Sequence, residues 1–313
     1  MADTSFRAKA KETIQEIQKK ITESLEIIEG SPFVHDSWER HDHNGHGQAN
    51  VIQNGRVFEK GGINFTELEI PLSLNLAKYI TERGKNIDLS RVADYLIYAA
   101  SCSLVIHPRN PHCPTVHANY RYLEVTLNGE AQVWWFAGGS DLTPYYLDEA
   151  DCVLFHTEHK NACDFASPDF YPQFKIECDN YFNIAHRGFR RGIGGIFFDD
   201  LDCLDKETLR EFVSKCGDAF VRSYPEIVKK HMNEPYNKDQ RRWQKIRRGH
   251  YVEFNLVYDR GTKFGLVTPD ANIEAILMPC PLSARWEYKH TLAPGSAEER
   301  LMSVLITPRD WII

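Results

Sequence analysis

Apolar and polar side chains alternate clearly over residues 115–127, a run rich in β-branched and aromatic residues. Alternation with a period of two predicts a β-strand, because successive side chains of a strand point to opposite faces of the sheet. Asn128-Gly129 follows directly, and this dipeptide is typical of a two-residue β-turn in which both central residues have positive φ. The pattern therefore predicts a hairpin in which residues 131–137 return antiparallel to the first strand.

One face of the first predicted strand is polar. It carries His117, Asn119 and Arg121, with apolar residues only further along the same face. At about 3.3 Å per residue the three positions span about 13 Å, which suits a large flat ligand better than a single ion. Pairing across a two-residue turn places Gly138 opposite Asn119, so that there is space above the sheet. The same pairing places Ser140 opposite His117. We interpret the face as a binding site for a planar anionic molecule, with an ordinary solvated sheet face as the alternative.

Other segments have helical or strand-like patterns. Residues 10–28 carry isoleucine and leucine at steps of three and four, which predicts an amphipathic helix within residues 1–30. Strands joined mainly by turns, with helices near both ends of the chain, favour an α+β fold: a large antiparallel sheet flanked by helices, in a single domain over residues 1–313. Further helices are predicted over residues 72–81, 89–103, 148–166, 169–187, 206–230 and 297–306. Further strands are predicted over residues 56–69, 196–198, 251–258, 264–268 and 273–278, and loops over residues 38–50 and 138–144.

Composition narrows the function classes. The 313-residue chain is 42% hydrophobic with a net charge of −7, and this acidic balance argues against nucleic-acid binding. No apolar run approaches the roughly 20 residues of a membrane-spanning helix. The N-terminal residues include several acids and no hydrophobic signal segment, so a cytoplasmic protein is expected. The eight cysteines include no C-x2-C pair, which argues against a zinc or iron–sulfur site and for reduced thiols.

Arginine recurs in the turn-rich segments around the predicted strands. A guanidinium group binds a carboxylate through two hydrogen bonds and stays charged at any biological pH, so this pattern predicts a ligand with several carboxylates. No motif for a nicotinamide, flavin, haem or pyridoxal cofactor is visible, so a redox reaction needs an electron-rich substrate. The basic segment 241–248 is either an exposed helix face or part of an anion-binding rim. The arginines concerned are Arg109, Arg121, Arg187, Arg190, Arg191, Arg260 and Arg285.

Five long runs carry a family resemblance: HPRNPHCPTVHANYRYLEV, WWFAGGSDLTPYYL, FKIECDNYFNIAHRGFRRGIGGIFFDDL, RRGHYVEFNLVYDRGTKFGLVTP and ILMPCPLSARWEY. They closely resemble the oxygen-dependent coproporphyrinogen III oxidases of haem biosynthesis, over nearly all of residues 33–311. The resemblance implies oxidative decarboxylation of the ring A and ring B propionates of coproporphyrinogen III to vinyl groups, which gives protoporphyrinogen IX. It implies dioxygen as co-substrate, no organic cofactor, and release of carbon dioxide and hydrogen peroxide. It also implies a homodimer, for which the apolar face of residues 251–258 is a candidate interface.

The resemblance assigns roles to individual residues. His117 matches the family's proton donor. Asp259 and Arg260 match a pair important for activity, and together with His117 and Arg121 they are the expected catalytic residues. Asp259 is expected to accept hydrogen bonds from pyrrole N–H groups and to stabilise positive charge on the ring, while Arg121 and Arg260 hold propionates. The expected substrate contacts are Ser103, Asn119, Tyr120 and Arg121.

Two further points of the resemblance concern a metal and the substrate carboxylates. Some family members are assigned four histidine metal ligands, and imidazoles bind divalent first-row metals. The matching residues share no closely spaced pair, so a divalent metal is left open and no metal ligand is assigned. The family also has a substrate-binding arginine shortly after Thr268-Pro269, where this chain has Asn272, so one carboxylate contact is expected to be supplied differently. Residues 38–50 are less glycine-rich than in the family, which leaves their behaviour as a lid open. The matching histidines are His107, His117, His156 and His186.

Two other function classes stay open at this point. A tetrapyrrole carrier without catalysis needs the same arginines and aromatic walls but not Asp259. A metal hydrolase built on the four histidines predicts chelator-sensitive activity with no oxygen requirement. Formation of a vinyl product with oxygen uptake separates both from the oxidase.

Overall fold

The computed structural model describes residues 4–40, 43–267 and 271–312. Its strands are β1 (Val34–Glu39), β2 (Gly45–Gln53), β3 (Phe58–Pro71), β4 (Tyr95–Pro108), β5 (Thr115–Leu127), β6 (Glu130–Thr143), β7 (Asn183–Ile184), β8 (Phe189–Arg190) and β9 (Gly195–Leu201). Seven of them form an antiparallel sheet in the order β1-β2-β3-β4-β5-β6-β9, and β7 and β8 form a separate hairpin.

Nine α-helices and one 3-10 helix, Leu89–Asp94, lie around the sheet in the described part of the chain. The predicted α+β fold with a large antiparallel sheet flanked by helices is confirmed. Among the described residues, no helix is long and apolar enough to cross a membrane. The domain range 1–313 stays a prediction. The helices are α1 (Thr4–Glu29), α2 (Leu74–Glu82), α3 (Glu149–Ala166), α4 (Phe170–Tyr181), α5 (Lys206–His231), α6 (Lys238–Val257), α7 (Arg260–Val267), α8 (Ile273–Leu277) and α9 (Ala297–Ile306).

One face of the sheet is covered by α1 and α5. The apolar stripe of α1 is buried there, with Ile14, Ile21 and Leu25 fully inaccessible to solvent. Tyr120 and Phe136 from the sheet enter the same core. Burying an aliphatic or aromatic side chain of this size stabilises the fold by about 1.5–3 kcal/mol each. This face therefore carries the main core, with a few strand carboxylates such as Glu67 and Glu124 paired to basic residues of α1.

The predicted β5–β6 hairpin is confirmed, but its register differs by one residue. Asn128 and Gly129 have φ values of 50° and 79°, as the turn requires. A β-bulge between Val125 and Thr126 then shifts the pairing. As a result, Asn119 lies opposite Gly139 instead of Gly138, and His117 lies opposite Asp141 instead of Ser140. The bulge inserts one residue into β6, which the turn dipeptide alone does not reveal.

Three elements predicted in the first half of the chain were wrong. Residues 89–103, predicted as a helix, contain the 3-10 helix and more than half of β4. β4 is largely buried on both faces, so its apolar run lacks the alternation that marks a half-buried strand. Residues 138–144, predicted as a loop, lie almost entirely in β6. Residues 38–50, also predicted as a loop, belong mainly to β1 and β2, with 41 and 42 outside the described residues.

The predicted strands near the C-terminus were also wrong. Residues 251–257 end α6, while 264–267 and 273–277 lie in α7 and α8; residue 268 is outside the described part of the chain. Tyr251 and Phe254, three residues apart, are both buried, and Val257 is exposed, as in a helix that buries one side. The short run also alternates apolar and polar residues, so its sequence pattern is equally typical of a strand. In addition, α4 ends at Tyr181, so His186 lies in the turn between β7 and β8 and not at a helix end.

Candidate active site

The face of the sheet opposite α1 and α5 presents a row of polar side chains. Asn119 of β5 lies between Ser103 of β4 and Gly139 of β6. His117 and Arg121 occupy the neighbouring positions on the same face of β5, and all three β5 side chains are half-buried. The alternation of β5 therefore places these polar groups side by side over a glycine, as its sequence pattern indicates.

His117 begins a buried chain of charged groups. Its Nδ1 lies 2.8 Å from Oδ1 of Asp141, and Arg191 donates to both oxygens of Asp141 at 3.0 and 2.8 Å. Burial raises the pKa of Asp141, but the charge of Arg191 and the hydrogen bond with His117 outweigh it and lower the pKa below its ordinary value. An ionised carboxylate only accepts, so Nδ1 of His117 carries the hydrogen. Nε2 is therefore the ring atom of His117 that can exchange a proton.

Arg191 is fully engaged inside the protein. Besides Asp141, it donates to Oδ1 of Asn255 at 3.1 Å. Its guanidinium carbon lies 4.0 Å from the ring centre of Phe182 and 4.6 Å from that of Tyr251. Since only 2% of Arg191 is exposed, this arginine holds Asp141 and leaves no free edge for a ligand.

Asp259 follows the last residues of α6 and faces the same site. Its Oδ2 accepts from the Thr262 N–H at 2.7 Å and from the Thr262 hydroxyl at 2.9 Å, and its Oδ1 accepts from the Tyr181 hydroxyl at 3.0 Å. Burial raises the pKa of Asp259, but the Thr262 N–H and the charges of His117 and Arg191 lower it below its ordinary value. Asp259 is therefore an ionised acceptor close to His117.

Arg260 lies at the rim of the site, where α7 begins. Its Nη1 donates to the Tyr79 hydroxyl at 2.7 Å, and its Nη2 lies 3.2 Å from Oδ2 of Asp199. The guanidinium carbon is 4.8 Å from the ring centre of Tyr181. These partners come from α2, β9 and α4, so Arg260 links the elements that border the site. Its side chain is 41% exposed, which leaves it open to an incoming carboxylate.

Several buried polar atoms on this face have no hydrogen-bond partner among the described residues. They include Nε of Arg121 and the side-chain oxygens of Asn119, Asn64 and Tyr251. A buried polar atom without a partner costs about 1–3 kcal/mol, so native proteins rarely leave several together. Asn64 pairs with Ser103 across β3 and β4, which extends the polar row by one strand. The site is therefore suited to a ligand that supplies both donors and acceptors.

Ser103 and Tyr120, two of the expected substrate contacts, lie on opposite faces of the sheet. Ser103 shares the polar face with Asn119. Tyr120 is fully buried, and its hydroxyl donates to the backbone carbonyl of Cys216 in α5 at 3.2 Å. The structure therefore brings Ser103 to the site and directs the Tyr120 side chain into the core.

The four histidines of the implied metal set do not converge. His156 is fully buried, and its two ring nitrogens lie 2.9 Å from the Tyr171 hydroxyl and 3.2 Å from the Ile193 carbonyl. His107 contacts Thr115 and the Pro279 carbonyl. His186 contacts Tyr258 and Glu253, and His117 contacts Asp141. Because each ring has its own partners, these four residues do not fit a shared metal ion.

Most of the predicted arginines are also engaged elsewhere. Arg109 donates to the Gly55 carbonyl, Arg187 pairs with Glu253, Arg190 donates to the Ile306 carbonyl and Arg285 pairs with Glu287. In the basic segment, Arg241 and Arg248 both pair with Glu59, and Arg242 pairs with Glu287. Of the seven predicted arginines, Arg121 has an unpartnered Nε on the polar face. Arg260 is also paired, with Asp199, but its half-exposed side chain borders that face, so these two can meet a ligand there.

Asn272, near the position of the family's arginine, uses its side-chain oxygen inside the chain. Its side chain caps α8 by accepting from the Ala275 N–H at 3.2 Å. Residues 268–270, which precede it, lie outside the described residues.

Sequence reasoning missed three contributors to the site: Asp141, Tyr181 and Asn64. Asp141 was one position from the predicted partner of His117, and the bulge in β6 concealed the pairing. The sequence carries no local signal for Tyr181, because its contact with Asp259 joins residues 78 positions apart. Asn64 could have been found from the alternation of β3, where it is a polar residue between apolar neighbours.

Comparisons with known proteins identify the family of the chain. A family model described as coproporphyrinogen III oxidase matches residues 9–311. A Drosophila melanogaster protein named oxygen-dependent coproporphyrinogen-III oxidase is 51% identical over 96% of this chain and 76% of its own length. The human mitochondrial protein of that name is 48% identical over 98% of this chain and 67% of its own. A chloroplastic one from Glycine max is 44% identical over 99% of this chain and 81% of its own. The chain therefore belongs to the coproporphyrinogen III oxidase family.

Proposed function

We propose that this protein converts coproporphyrinogen III to protoporphyrinogen IX by oxygen-dependent oxidative decarboxylation of the ring A and ring B propionates. The observation that carries the proposal is the polar face of β4–β6, where unpartnered polar atoms of Asn119 and Arg121 lie beside the ionised Asp259 and His117. The names of the relatives, oxygen-dependent coproporphyrinogen-III oxidases, support the same reaction.

Substrate binding follows from the charges around this face. The substrate is a puckered macrocycle with four carboxylate arms and four pyrrole N–H donors. Arg121 and Arg260 hold propionates, since a guanidinium binds a carboxylate in a fixed orientation. Asp259 and the Asn119 oxygen are acceptors and suit pyrrole N–H groups. Fixing the arms also fixes which propionate lies at the reacting position, which lowers the entropic part of the barrier.

The balance of the reaction defines what the protein must supply. Each propionate loses its carboxylate as carbon dioxide, and the carbon next to the pyrrole loses a hydrogen with two electrons. Dioxygen takes this hydrogen, the two electrons and one further proton and becomes hydrogen peroxide. The electrons leave the electron-rich pyrrole system, so positive charge develops on the ring. Asp259, an ionised carboxylate in a buried site, stabilises that charge, and removing one such preorganised group typically costs about 10²–10³ in kcat.

His117 is the residue that delivers the further proton. Asp141 holds Nδ1–H, which leaves Nε2 for proton exchange. Arg191 keeps Asp141 ionised, so the orientation of His117 persists through the cycle. No step is assigned to a metal, because the four implied histidine ligands are committed to separate partners.

We also propose a homodimer in the cytoplasm. Within the candidate interface at residues 251–258, Tyr251 and Phe254 cannot contact a partner, because they are buried within the chain. Leu256, Val257 and Val267 are exposed, at 46, 47 and 78%, and support an apolar contact surface around the end of α6 and α7. Sedimentation velocity of the wild type and of Val267→Asp tests the dimer.

The cytoplasmic location stays a prediction, and several relatives are named as mitochondrial or chloroplastic.

The reaction is tested by incubating the purified protein with coproporphyrinogen III in air and without air. We expect two vinyl groups per product molecule in air, with hydrogen peroxide formed in equal number, and no vinyl product without oxygen. Binding without vinyl formation in air supports the tetrapyrrole carrier instead. Chelator-sensitive hydrolysis without oxygen uptake supports the metal hydrolase.

A further inference from the structure

Lys60 is a half-buried cation without an ion-pair partner among the described residues. Burial lowers the pKa of its ammonium group, and the charge of Glu274 only partly opposes this effect. A desolvated ammonium group that lacks a carboxylate at contact distance is costly, so proteins usually pair it or use it. The contacts among the described residues therefore do not explain why the ammonium group of Lys60 is half-buried.

The position of Lys60 in β3 puts it on the polar face of the sheet. Asn64 pairs with Ser103, Gly62 pairs with Val105, and Lys60 pairs with His107, all regularly spaced on the same side of β3 and β4. Val105 in turn pairs with His117. Lys60 is thus two strands across and two residues further along than His117. From strand spacing and rise, the two backbones are about 12 Å apart.

A cavity of about 130 Å³ opens beside Lys60, between β2, β3 and α8. Lys60, Asn64 and Asn272 are among its lining residues, and the two acids there, Asp36 and Glu274, are both exposed to solvent. A cavity of this size is well below the roughly 300–1,000 Å³ that a whole drug-sized ligand occupies. It therefore suits a side arm of a larger ligand whose ring lies over the neighbouring polar row.

We propose that Lys60 binds one of the four propionates of the substrate, whose arm enters this cavity while the ring lies over Ser103 and Asn119. The proposal rests on the proposed function and deepens it. Lys60 then provides a third carboxylate contact on this face, beside Arg121 and Arg260. Asn272 lines the same cavity, but its carboxamide is neutral and its oxygen caps α8, so the positive charge there comes from Lys60. Lys60 is a positioning residue for the substrate and takes no part in proton transfer.

The test compares Lys60→Gln and Lys60→Arg with a matched control, Lys78→Gln, which removes the same charge from an exposed position on α2. A lost charged hydrogen bond predicts a rise of about 10- to 100-fold in KM for coproporphyrinogen III with Lys60→Gln. We expect kcat to stay unchanged, which is the pattern of lost uniform binding. Lys60→Arg is expected to retain a KM near that of the wild type, and Lys78→Gln is expected to have no effect.

Equilibrium binding of coproporphyrin III, the oxidised macrocycle with the same four carboxylates, gives a second measurement independent of turnover. Its affinity should fall with Lys60→Gln and lose part of its dependence on ionic strength. If Lys60→Gln folds poorly, Lys60→Met keeps the aliphatic stem and serves in its place. An unchanged KM and affinity in a folded variant overturns the proposal, as does an equal loss in Lys60→Arg. Absence of vinyl product from the wild type overturns the proposed function instead, while the binding arm still tests Lys60.

Discussion

Arg191 and Arg121 lie on the same side of the sheet in opposite environments. Arg191 is almost fully buried, with two hydrogen bonds to Asp141, one to Asn255 and aromatic rings on its faces. Arg121 has a buried Nε without a partner among the described residues. The difference separates two uses of one residue type. An arginine satisfied inside the chain holds the site together, and an arginine with unsatisfied donors is available to a ligand.

The largest effect is expected from removing the satisfied arginine. Arg191→Met leaves Asp141 as an uncompensated buried charge, which typically costs about 3–5 kcal/mol of unfolding free energy. Denaturant unfolding measures this loss. The double variant Arg191→Met/Asp141→Leu removes both charges and should recover most of the stability but none of the activity, because His117 loses its partner. A single variant as stable as the wild type contradicts the structural role of Arg191.

The next largest effect is expected at Asp259, whose carboxylate is proposed to stabilise positive charge on the ring. Asp259→Asn removes the charge and keeps the shape, and we expect kcat to fall by about 10²–10³ with a smaller change in KM. Steady-state kinetics with coproporphyrinogen III measure both constants. Thr262→Val is a useful control, since it removes one hydrogen bond to Asp259 and keeps the carboxylate. Near-normal turnover of Asp259→Asn rules out the proposed role of this carboxylate.

A substitution of Arg121 tests the difference between a ligand-binding arginine and the structural Arg191. We expect Arg121→Gln to raise the KM for coproporphyrinogen III by about 10- to 100-fold, because a charged hydrogen bond to a propionate is lost. Its unfolding free energy should not fall, since no internal ion pair is broken and an unpartnered buried donor is removed. The same kinetic and unfolding measurements on Arg191→Met provide the comparison. A marked loss of stability in Arg121→Gln, with unchanged KM, reverses the assignment.

The smallest effect concerns a satisfied charge cluster elsewhere in the molecule. His231 at the end of α5 contacts Asp151 of α3 at 2.6 Å and also Glu234, and the hydrogen bond with Asp151 raises the pKa of His231 above its ordinary value. A raised histidine pKa gives stability that is fully present below about pH 6.5 and is lost as the pH rises through the folded value.

The stability difference between the wild type and His231→Gln should therefore shrink between pH 6 and pH 9, while KM stays unchanged at either pH. Unfolding curves across this range measure it. A difference that grows with pH contradicts the protonated state of His231.

The sequence predicts the part of the site that depends on local rules. Alternation over residues 115–127 and the Asn128-Gly129 turn are enough to place His117, Asn119 and Arg121 on one face. The same rules cannot reveal a bulge, because the inserted residue changes no local pattern. One residue of register was therefore enough to hide the pairing of His117 with Asp141.

The secondary-structure predictions were wrong where the local sequence pattern and the burial of side chains in the folded chain disagree. Residues 251–258 alternate like a strand, but Tyr251 and Phe254 pack against Arg191 at a helical spacing. The sequence pattern also predicted more ligand-binding arginines than the structure leaves available. Arg187, for example, is paired with Glu253, 66 positions away, which only the folded chain brings close. Arg285 is paired with Glu287, two residues further along the chain.

The most direct test is the structure of the protein with coproporphyrin III bound. We expect one carboxylate on Arg121 and another on Arg260, with the ring over Asn119 and its nitrogens facing Asp259. A macrocycle bound elsewhere, with Nε of Arg121 still unpartnered, contradicts substrate binding on the polar face.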